Sequence, residues 1–447
     1  MKEVYRFVHL SDIHFGQERG GTFVHHDDAR FQLIRDCRKL RDEIGSADGI
    51  LITGDVAFGG KREEYDRAGQ WIDQLVEAIG CELIDVRTIP GNHDVDRGRI
   101  DYFCQLAHNH LRKVDPGKVD AELESMMRGG EEGNSLLPKL STYREFASRF
   151  GCDFPSPQNP SWKKAYPLGP HYRLEFVGMN SVQVCDASDS EGQMVLGNTQ
   201  YVLRPEDNVE YVVLVHHPLH WFRDRGDASR YLKRARVLMV GHEHSLEIKK
   251  VSHDIGEEQL EIYAGATNPP ETGAGYPYRY NWLEFALAGN EVERRLRVTT
   301  HPRVWDHART RFAADLVRLN GAPSFATEVA CPNFLPAPAQ LPASRGPDLF
   351  QVSLAGDTMA DQGARDFERL QYYFWTYLDW QERLKALVEI DVLPATRTHP
   401  VPQTFERMAL ETARKNGRLG ALWNVVMRSV PSEKRGDNPF SGTEVPR

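Results

Sequence analysis

Short apolar runs of β type alternate with amphipathic helical stretches through about the first 300 residues. The runs at 4–10, 49–53, 84–89, 172–179, 211–215, 236–240 and 260–264 are rich in Val, Ile, Leu and Tyr, and each predicts a buried strand. Between the first two, Phe31, Ile34, Cys37, Leu40 and Ile44 recur at helical spacing and predict a helix over 30–44. Tyr65, Trp71, Leu75 and Ile79 do the same over 63–79. Such alternation predicts an α/β fold. Runs at 281–286 and 292–298, joined by Ala288-Gly289-Asn290, predict a late antiparallel pair.

The rhythm breaks over 96–162, where 102–111 and 140–150 read as helices around a polar stretch at 129–133. Two readings are open for this insertion: a surface elaboration, or a lid that selects substrate. After residue 310 the chain turns Pro- and Ala-rich, which predicts a linker over 311–360 that is poor in regular structure. Beyond it the pattern is helical. Phe367, Leu370, Phe374, Tyr377, Leu384 and Leu387 share one face of a single helix over 365–388. A second helix over 403–415 is expected to bury Phe405, Met408 and Ala409, with Gly417 ending it. A third spans 418–429. The expected boundaries are 1–310 for the α/β domain, 361–435 for a small helical domain and 436–447 for a polar tail.

The length of 447 residues implies about two or three domains. A net charge of −9 argues against broad non-specific nucleic-acid binding, while leaving room for a local basic groove. Six cysteines, widely spaced and without a CxxC, fit reduced thiols rather than a disulfide framework. No apolar run has the length of a membrane span. Removal of a signal peptide of ~15–30 residues would cut away the motif at residues 12–14, so a cytoplasmic location is expected.

Five predicted strands run directly into metal-ligand side chains. The segments are Asp12-Ile13-His14, Gly54-Asp55, Gly91-Asn92-His93-Asp94, His216-His217-Pro218 and Gly241-His242-Glu243-His244. Residues just past the C-terminal ends of parallel strands face a common crevice. In Asp12-x-His14 and His242-x-His244 the period-two alternation puts both side chains on one side of the chain.

This ordered set, DxH, GD, GNHD, HxP and GHxH, resembles the calcineurin-like metallophosphoesterase superfamily over about the first 300 residues. The resemblance implies a four-layer α/β/β/α sandwich, here with a helical insertion and a C-terminal all-α domain. It implies two divalent metal ions: Asp12, His14 and His244 would hold one, Asn92, His216 and His242 the other, and Asp55 would bridge them. Carboxylate, carboxamide and imidazole donors suit Mn²⁺ first, with Fe, Zn²⁺ or Mg²⁺ as alternatives. Two cations ~3.5–4 Å apart would clamp a phosphate and activate a water for in-line attack. His93 would serve as general acid, and Asp94 would orient its ring. His217 is left as a group behind the ligands or facing substrate, and His220 as a substrate-side residue. His25 and His26 read as a loop before a helix that Asp27 or Asp28 caps, and Asp186, Asp189 and Glu191 as a solvated turn.

Asp55 is followed by Val56-Ala57-Phe58-Gly59-Gly60, unlike the GDxVDRG of the protein-phosphatase branch. The opening His9-Leu10-Ser11-Asp12-Ile13-His14-Phe15-Gly16 is more similar to bacterial phosphodiesterases and repair nucleases. That implies a phosphodiester substrate, nucleic acid or a nucleotide. The alternatives are a cyclic-nucleotide or other small-molecule phosphodiesterase, or a metal-binding scaffold acting through its helical part.

Between Phe367 and Phe440 the chain resembles the small, death-fold-like effector-associated adaptors of bacterial conflict systems. The likeness rests on Leu384, Ile390, Leu393, Ala413, Gly417, Leu419, Leu422, Trp423, Pro431 and Asn438-Pro439-Phe440. It implies that 361–435 docks on a protein partner. A packed cap or a dimerisation bundle are the plainer readings. From residue 361 onward 13 Lys/Arg face 12 Asp/Glu, which disfavours DNA binding by this part.

Overall fold

The computed structural model describes residues 2–18, 23–128, 134–154, 159–169, 171–253, 257–269, 277–290, 293–335, 354–394 and 402–441. The polar stretch 129–133 and most of the Pro/Ala-rich segment lie outside them. Two compact units emerge: residues 1–144 with 152–335, and residues 145–151 with 336–447.

The first unit begins β1 (Val4–Leu10), α1 (Phe23–Ile44), β2 (Gly49–Ile52), α2 (Arg62–Ile79), β3 (Val86–Thr88). The insertion supplies α3 (Tyr102–Lys113), α4 (Val119–Met127) and α5 (Ser141–Ser148), whose last residues belong to the second unit. Next come β4 (Ser161–Pro167), β5 (Arg173–Met179), α6 (Asn198–Tyr201), β6 (Val209–Val215), α7 (Arg225–Leu232) and β7 (Ala235–Val240). The unit closes with β8 (Leu246–Ser252), β9 (Glu258–Ala264), β10 (Arg279–Gly289), β11 (Arg294–Asp306), β12 (Arg311–Ala314) and β13 (Phe325–Ala330).

These strands form two sheets. One has the order β12-β11-β10-β1-β2-β3 with β13 also on β11; the other has the order β4-β5-β6-β7-β9-β8. β1, β2 and β3 are parallel, as are β5, β6, β7 and β9. Aromatic side chains join the inner faces: Phe7 of β1 meets Tyr166 of β4 and Phe176 of β5 at 5.2 Å, and Phe285 of β10 at 5.9 Å. Every residue of β2 and β6 is buried, as expected of strands covered on both faces. Outside the first sheet, Asp36 of α1 takes a bidentate pair from Arg303 of β11, at 2.7 and 2.6 Å, and a bond from Tyr280. This is the four-layer α/β arrangement that the strand pattern and the resemblance imply.

The segment after residue 310, expected as linker, adds two strands. β11 is 13 residues long, and one edge is shared: β13 pairs residues 295–300 and β12 residues 303–306. Both additions are short edge strands, and their sequences lack the apolar density of the central ones.

Burial inside the insertion is polar as well as apolar. Lys139 Nζ donates to His108 Nε2 (2.8 Å) and to the carbonyls of Gln183 (2.8 Å) and Cys185 (3.0 Å). His108 Nδ1 in turn donates to Asp186 (2.8 Å), which also accepts from Arg112 and Gln105. Burial pushes Lys139 down to about 8 from 10.5. The unfolded chain therefore binds the extra proton between those values, so wild-type stability rises with pH across that window. We expect urea midpoints of wild type, measured against Lys139→Met, to climb from about pH 8 to 10.5. A flat difference would show that Lys139 is not desolvated.

The second unit is a helical bundle of α8 (Leu354–Tyr377), α9 (Trp380–Glu389), α10 (Gln403–Lys415) and α11 (Leu419–Val426). Leu370, Phe374, Leu387, Leu410, Leu422 and Val426 fill its core. The single helix expected over 365–388 is two. Asp379 caps α9, accepting from Glu382 N (2.8 Å) while Glu382 accepts from Asp379 N (2.9 Å), a reciprocal capping box. Phe405 and Met408 were expected inward but are 44% and 64% exposed; Ala409, Leu410 and Ala413 form the buried stripe instead. Gly417 ends α10 with φ +65°. Phe440, assigned to the polar tail, is buried against Trp423 at 6.1 Å. Among the described residues no helix is long and apolar enough to cross a membrane.

Candidate metal centre

All five motifs leave the C-terminal ends of parallel strands, three from the first sheet and two from the second. Backbone bonds lock the turns together: Asp12 N donates to Gly54 O (3.1 Å), His14 N to Asp55 O (3.0 Å) and Gly241 N to His216 O (3.1 Å). Of the ten non-glycine residues with positive φ among those described, five are Asp12, His14, Asp55, His242 and His244. Left-handed backbone is unfavourable at such residues and persists where surrounding structure enforces it, commonly at functional sites.

The side chains converge in two groups. Asp12, His14 and His244 present ligand atoms within 4.8 Å of one another, with His244 Nε2 3.1 Å from Asp12 Oδ1. In the other group Asn92 Oδ1 lies 3.1 Å from both His216 Nε2 and His242 Nδ1. Asp55 Oδ2 stands between them, 3.2 Å from His14 Nε2 and 3.4 Å from His216 Nε2. Second ring nitrogens are anchored: His14 Nδ1 on Asn268 O (3.1 Å) and His216 Nδ1 on Thr53 O (2.8 Å), the usual support for an imidazole ligand.

Glycine permits this crowding at two points. A Cβ on Gly91 would sit 2.1 Å from Asp55 Oδ1, and one on Gly54 would sit 2.4 Å from His216 Nδ1. The small residue before Asn92 and before Asp55 thus makes room for a side chain of a neighbouring motif.

A divalent cation fits this donor set. Both carboxylate oxygens of Asp12 are buried without a well-directed hydrogen bond, and Nε2 of His217 and the side-chain amide of Asn268 are buried without a partner. Such atoms are costly unless a cation or ligand meets them. Burial opposes charge on His216, yet Asp55 and Asp12 outweigh it and hold the ring up to about 9. A strongly anionic core is the cause, and a cation would relieve it.

His93 stacks on Phe58 at 4.8 Å and donates from Nδ1 to Phe58 O (3.0 Å), while its backbone N–H donates to Asp55 Oδ1 (2.8 Å). Burial pushes its pKa down against the opposing pull of Asp55, and the His14 ring adds to the fall. Asp94 does not orient the ring as expected. Its carboxylate accepts from Gly91 N and Ala57 N (2.9 Å each) and from Tyr65 OH (2.9 Å), so it braces the loops of two motifs. Backbone N–H groups a few residues away satisfy a short Asp side chain better than a neighbouring ring can.

His217 is fully buried, bonded through Nδ1 to Ser181 Oγ (2.9 Å), and joins His216 and His242 as a ligand-spaced group. His220 stays half exposed, 3.8 Å from Glu191 and Glu243, and is not brought among the ligands. His25 and His26 lie inside α1 rather than before it, and His26 is buried against the Tyr278 hydroxyl (3.0 Å). Asp186 is not a solvated turn residue but a buried ion-pair centre. Asn268, Thr53, Phe58 and Ser181 escape the motif pattern. For Asn268 a signal existed: Thr267-Asn268 follows the run at 260–264, at the same strand-end position as the ligands.

The family model for calcineurin-like phosphoesterases matches residues 5–246, more than half of the chain, and that for the GTPase-associated adaptor domain matches residues 366–428. Similar solved structures include a protein of Streptococcus pneumoniae described as a predicted phosphoesterase, with 11% identity over 74% of this chain and 100% of that one, TM-score 0.26. Vps29 of Chaetomium thermophilum shares 9% identity over 73% and 98%, also with TM-score 0.26. Sulfate thiohydrolase SoxB of Thermus thermophilus shares 13% over 74% and 56%, with TM-score 0.30. No curated protein matches the sequence. On the family match, which spans all five motifs, the chain belongs to the calcineurin-like phosphoesterases.

Proposed function

We propose that this phosphoesterase cleaves phosphodiester bonds of nucleic acid or nucleotides with two divalent cations, Mn²⁺ favoured, at the centre described above. The observation that carries this reading is the position of Asp55 Oδ2, 3.2 Å from a ligand nitrogen of one group and 3.4 Å from one of the other. Asp12, His14 and His244 would hold one ion and Asn92, His216 and His242 the other. When bound, such a pair clamps a phosphate and makes water nucleophilic at neutral pH. The protein's own part is positional. With Nδ1–H tied to Phe58 O, His93 keeps Nε2 for the substrate, and a proton carried there goes to the leaving-group oxygen.

Diester specificity is supported by the residues around Asp12 and by the absence of the phosphatase pattern after Asp55. The adaptor match supports a protein partner for residues 361–435, in the manner of a bacterial defence effector whose helical unit brings it to a sensor. Six free cysteines suit the cytoplasm.

Mn²⁺-loaded protein, assayed with bis-p-nitrophenyl phosphate, p-nitrophenyl phosphate, plasmid, single-stranded DNA, RNA and cyclic nucleotides, tests this. The diester should turn over faster than the monoester, at least one nucleic acid should be cut, and EDTA should stop both. Hydrolysis of the monoester alone would sink the diesterase reading.

A further inference from the structure

Beside His93 the surface changes character. The loop after Asp55 and the turn after Asp94 lie against each other: a Cβ on Gly60 would come within 2.7 Å of Asp94 O and Asp96 N. Lys61 from the first reaches Asp96 on the second, and Arg99 lies 3.5 Å from the same carboxylate. Arg97 is exposed and has no acidic partner among the described residues, and it opens the turn Arg97–Arg99 that follows the His93 turn in the chain. Lys61 and Arg99 thus share one carboxylate, and Arg97 lies in the same short turn as Arg99, in a chain whose net charge is −9.

The chain leaves this rim directly into α3. Asp101 spends its carboxylate as the helix cap, accepting from Cys104 N at 2.8 Å. The outward face that follows is apolar and aromatic: Tyr102 is 72% exposed, Phe103 70% and Leu106 47%, with the two rings edge to face at 5.8 Å. The opposite face of the helix is fastened through His108 and Arg112 to Asp186, so these rings stand on a rigid base. Two neighbouring exposed rings at the start of the helix that follows the arginine turn match what a flexible polyanion with planar bases needs.

We propose that Lys61, Arg97 and Arg99 together with Tyr102 and Phe103 form a binding track for single-stranded nucleic acid, leading the strand to the metal centre past His93. The cations take backbone phosphates, and the rings take bases by stacking, which is indifferent to sequence. This rests on the diesterase reading above and narrows its substrate to an unpaired strand. Duplex stacking hides the faces that Tyr102 and Phe103 would bind.

The test compares wild type, Arg97→Gln and the double variant Tyr102→Ala/Phe103→Ala, all Mn²⁺-loaded full chains. Substrates are a thymidine oligonucleotide, a uridine oligonucleotide, a DNA duplex and bis-p-nitrophenyl phosphate. The two oligonucleotide arms distinguish DNA from RNA. In the double variant, kcat/KM for the better oligonucleotide, taken relative to that for bis-p-nitrophenyl phosphate, should fall by about tenfold or more, chiefly through KM. Arg97→Gln should lower the salt dependence of oligonucleotide KM by about 0.7 in the log–log slope. An unchanged ratio in the double variant overturns the track, as does a duplex cut as readily as the single strand. If wild type turns over bis-p-nitrophenyl phosphate but neither oligonucleotide, the track falls while the diesterase reading stands. If it turns over no diester at all, both fall.

Discussion

Replacing Asp55 by Asn is expected to lower turnover of bis-p-nitrophenyl phosphate by about a thousandfold, roughly 4 kcal/mol of barrier. The fold should survive, because an amide oxygen in the place of Oδ1 still accepts the His93 N–H, now bonded at 2.8 Å. What the substitution removes is the negative charge on Oδ2, which stands between the two groups of imidazoles. Metal content should drop from two ions per chain, and the melting temperature of the metal-free protein should change little. Elemental analysis and a thermal melt on the same preparation separate these effects. An Asp55→Asn protein with full turnover would remove the shared carboxylate from the account.

The second large effect lies away from the centre. Asp186→Asn should destabilise the protein by about 3–5 kcal/mol, lowering Tm by roughly 6–15 °C. Asp186 and Arg112 are buried together, and loss of the carboxylate charge leaves the guanidinium with Asp189 alone (2.9 Å) and weakens the bonds that Asp186 accepts from His108 and Ser188. Burial works against the charged carboxylate, but His108, Ser188 and Arg112 outweigh it and hold Asp186 well below the usual carboxylate range. Its contribution is therefore present above about pH 4 and lost as pH falls further, so wild type should show the steeper acid transition. Asp227→Asn provides the contrast. Asp227 and its partner Arg230 are exposed, and the change should cost less than about 1 kcal/mol. Equal effects at the two positions, read from urea midpoints, would contradict the buried role of Asp186.

The candidate ligand positions are legible because each follows a β-type run with a polar residue that has no packing role. Asp12, His14, Asp55, Asn92, His216, His242 and His244 all lie where strand-end geometry puts them. Asp94 shows where adjacency misleads, since its neighbour in sequence is His93 but its partners are backbone N–H groups and Tyr65. The Asp186 loop reads as a solvated turn because its cation, Arg112, lies 74 residues earlier in the insertion. No local pattern carries that distance. Phe405 and Met408 fail differently: α10 has apolar side chains on more than one face, and periodicity alone does not say which faces the core. The break between α8 and α9 is visible only as the capping box Asp379-x-x-Glu382, which an unbroken apolar stripe conceals. β12 and β13 are hidden for a further reason, because edge strands are short and the proline-rich stretch beside them dominates the composition.

The most direct measurement is an anomalous difference map from crystals grown with Mn²⁺, recorded above the manganese edge. The account predicts two peaks ~3.5–4 Å apart. One should lie among Asp12, His14 and His244, the other among Asn92, His216 and His242, with Asp55 touching both. A single peak, or two that do not share Asp55, would contradict it.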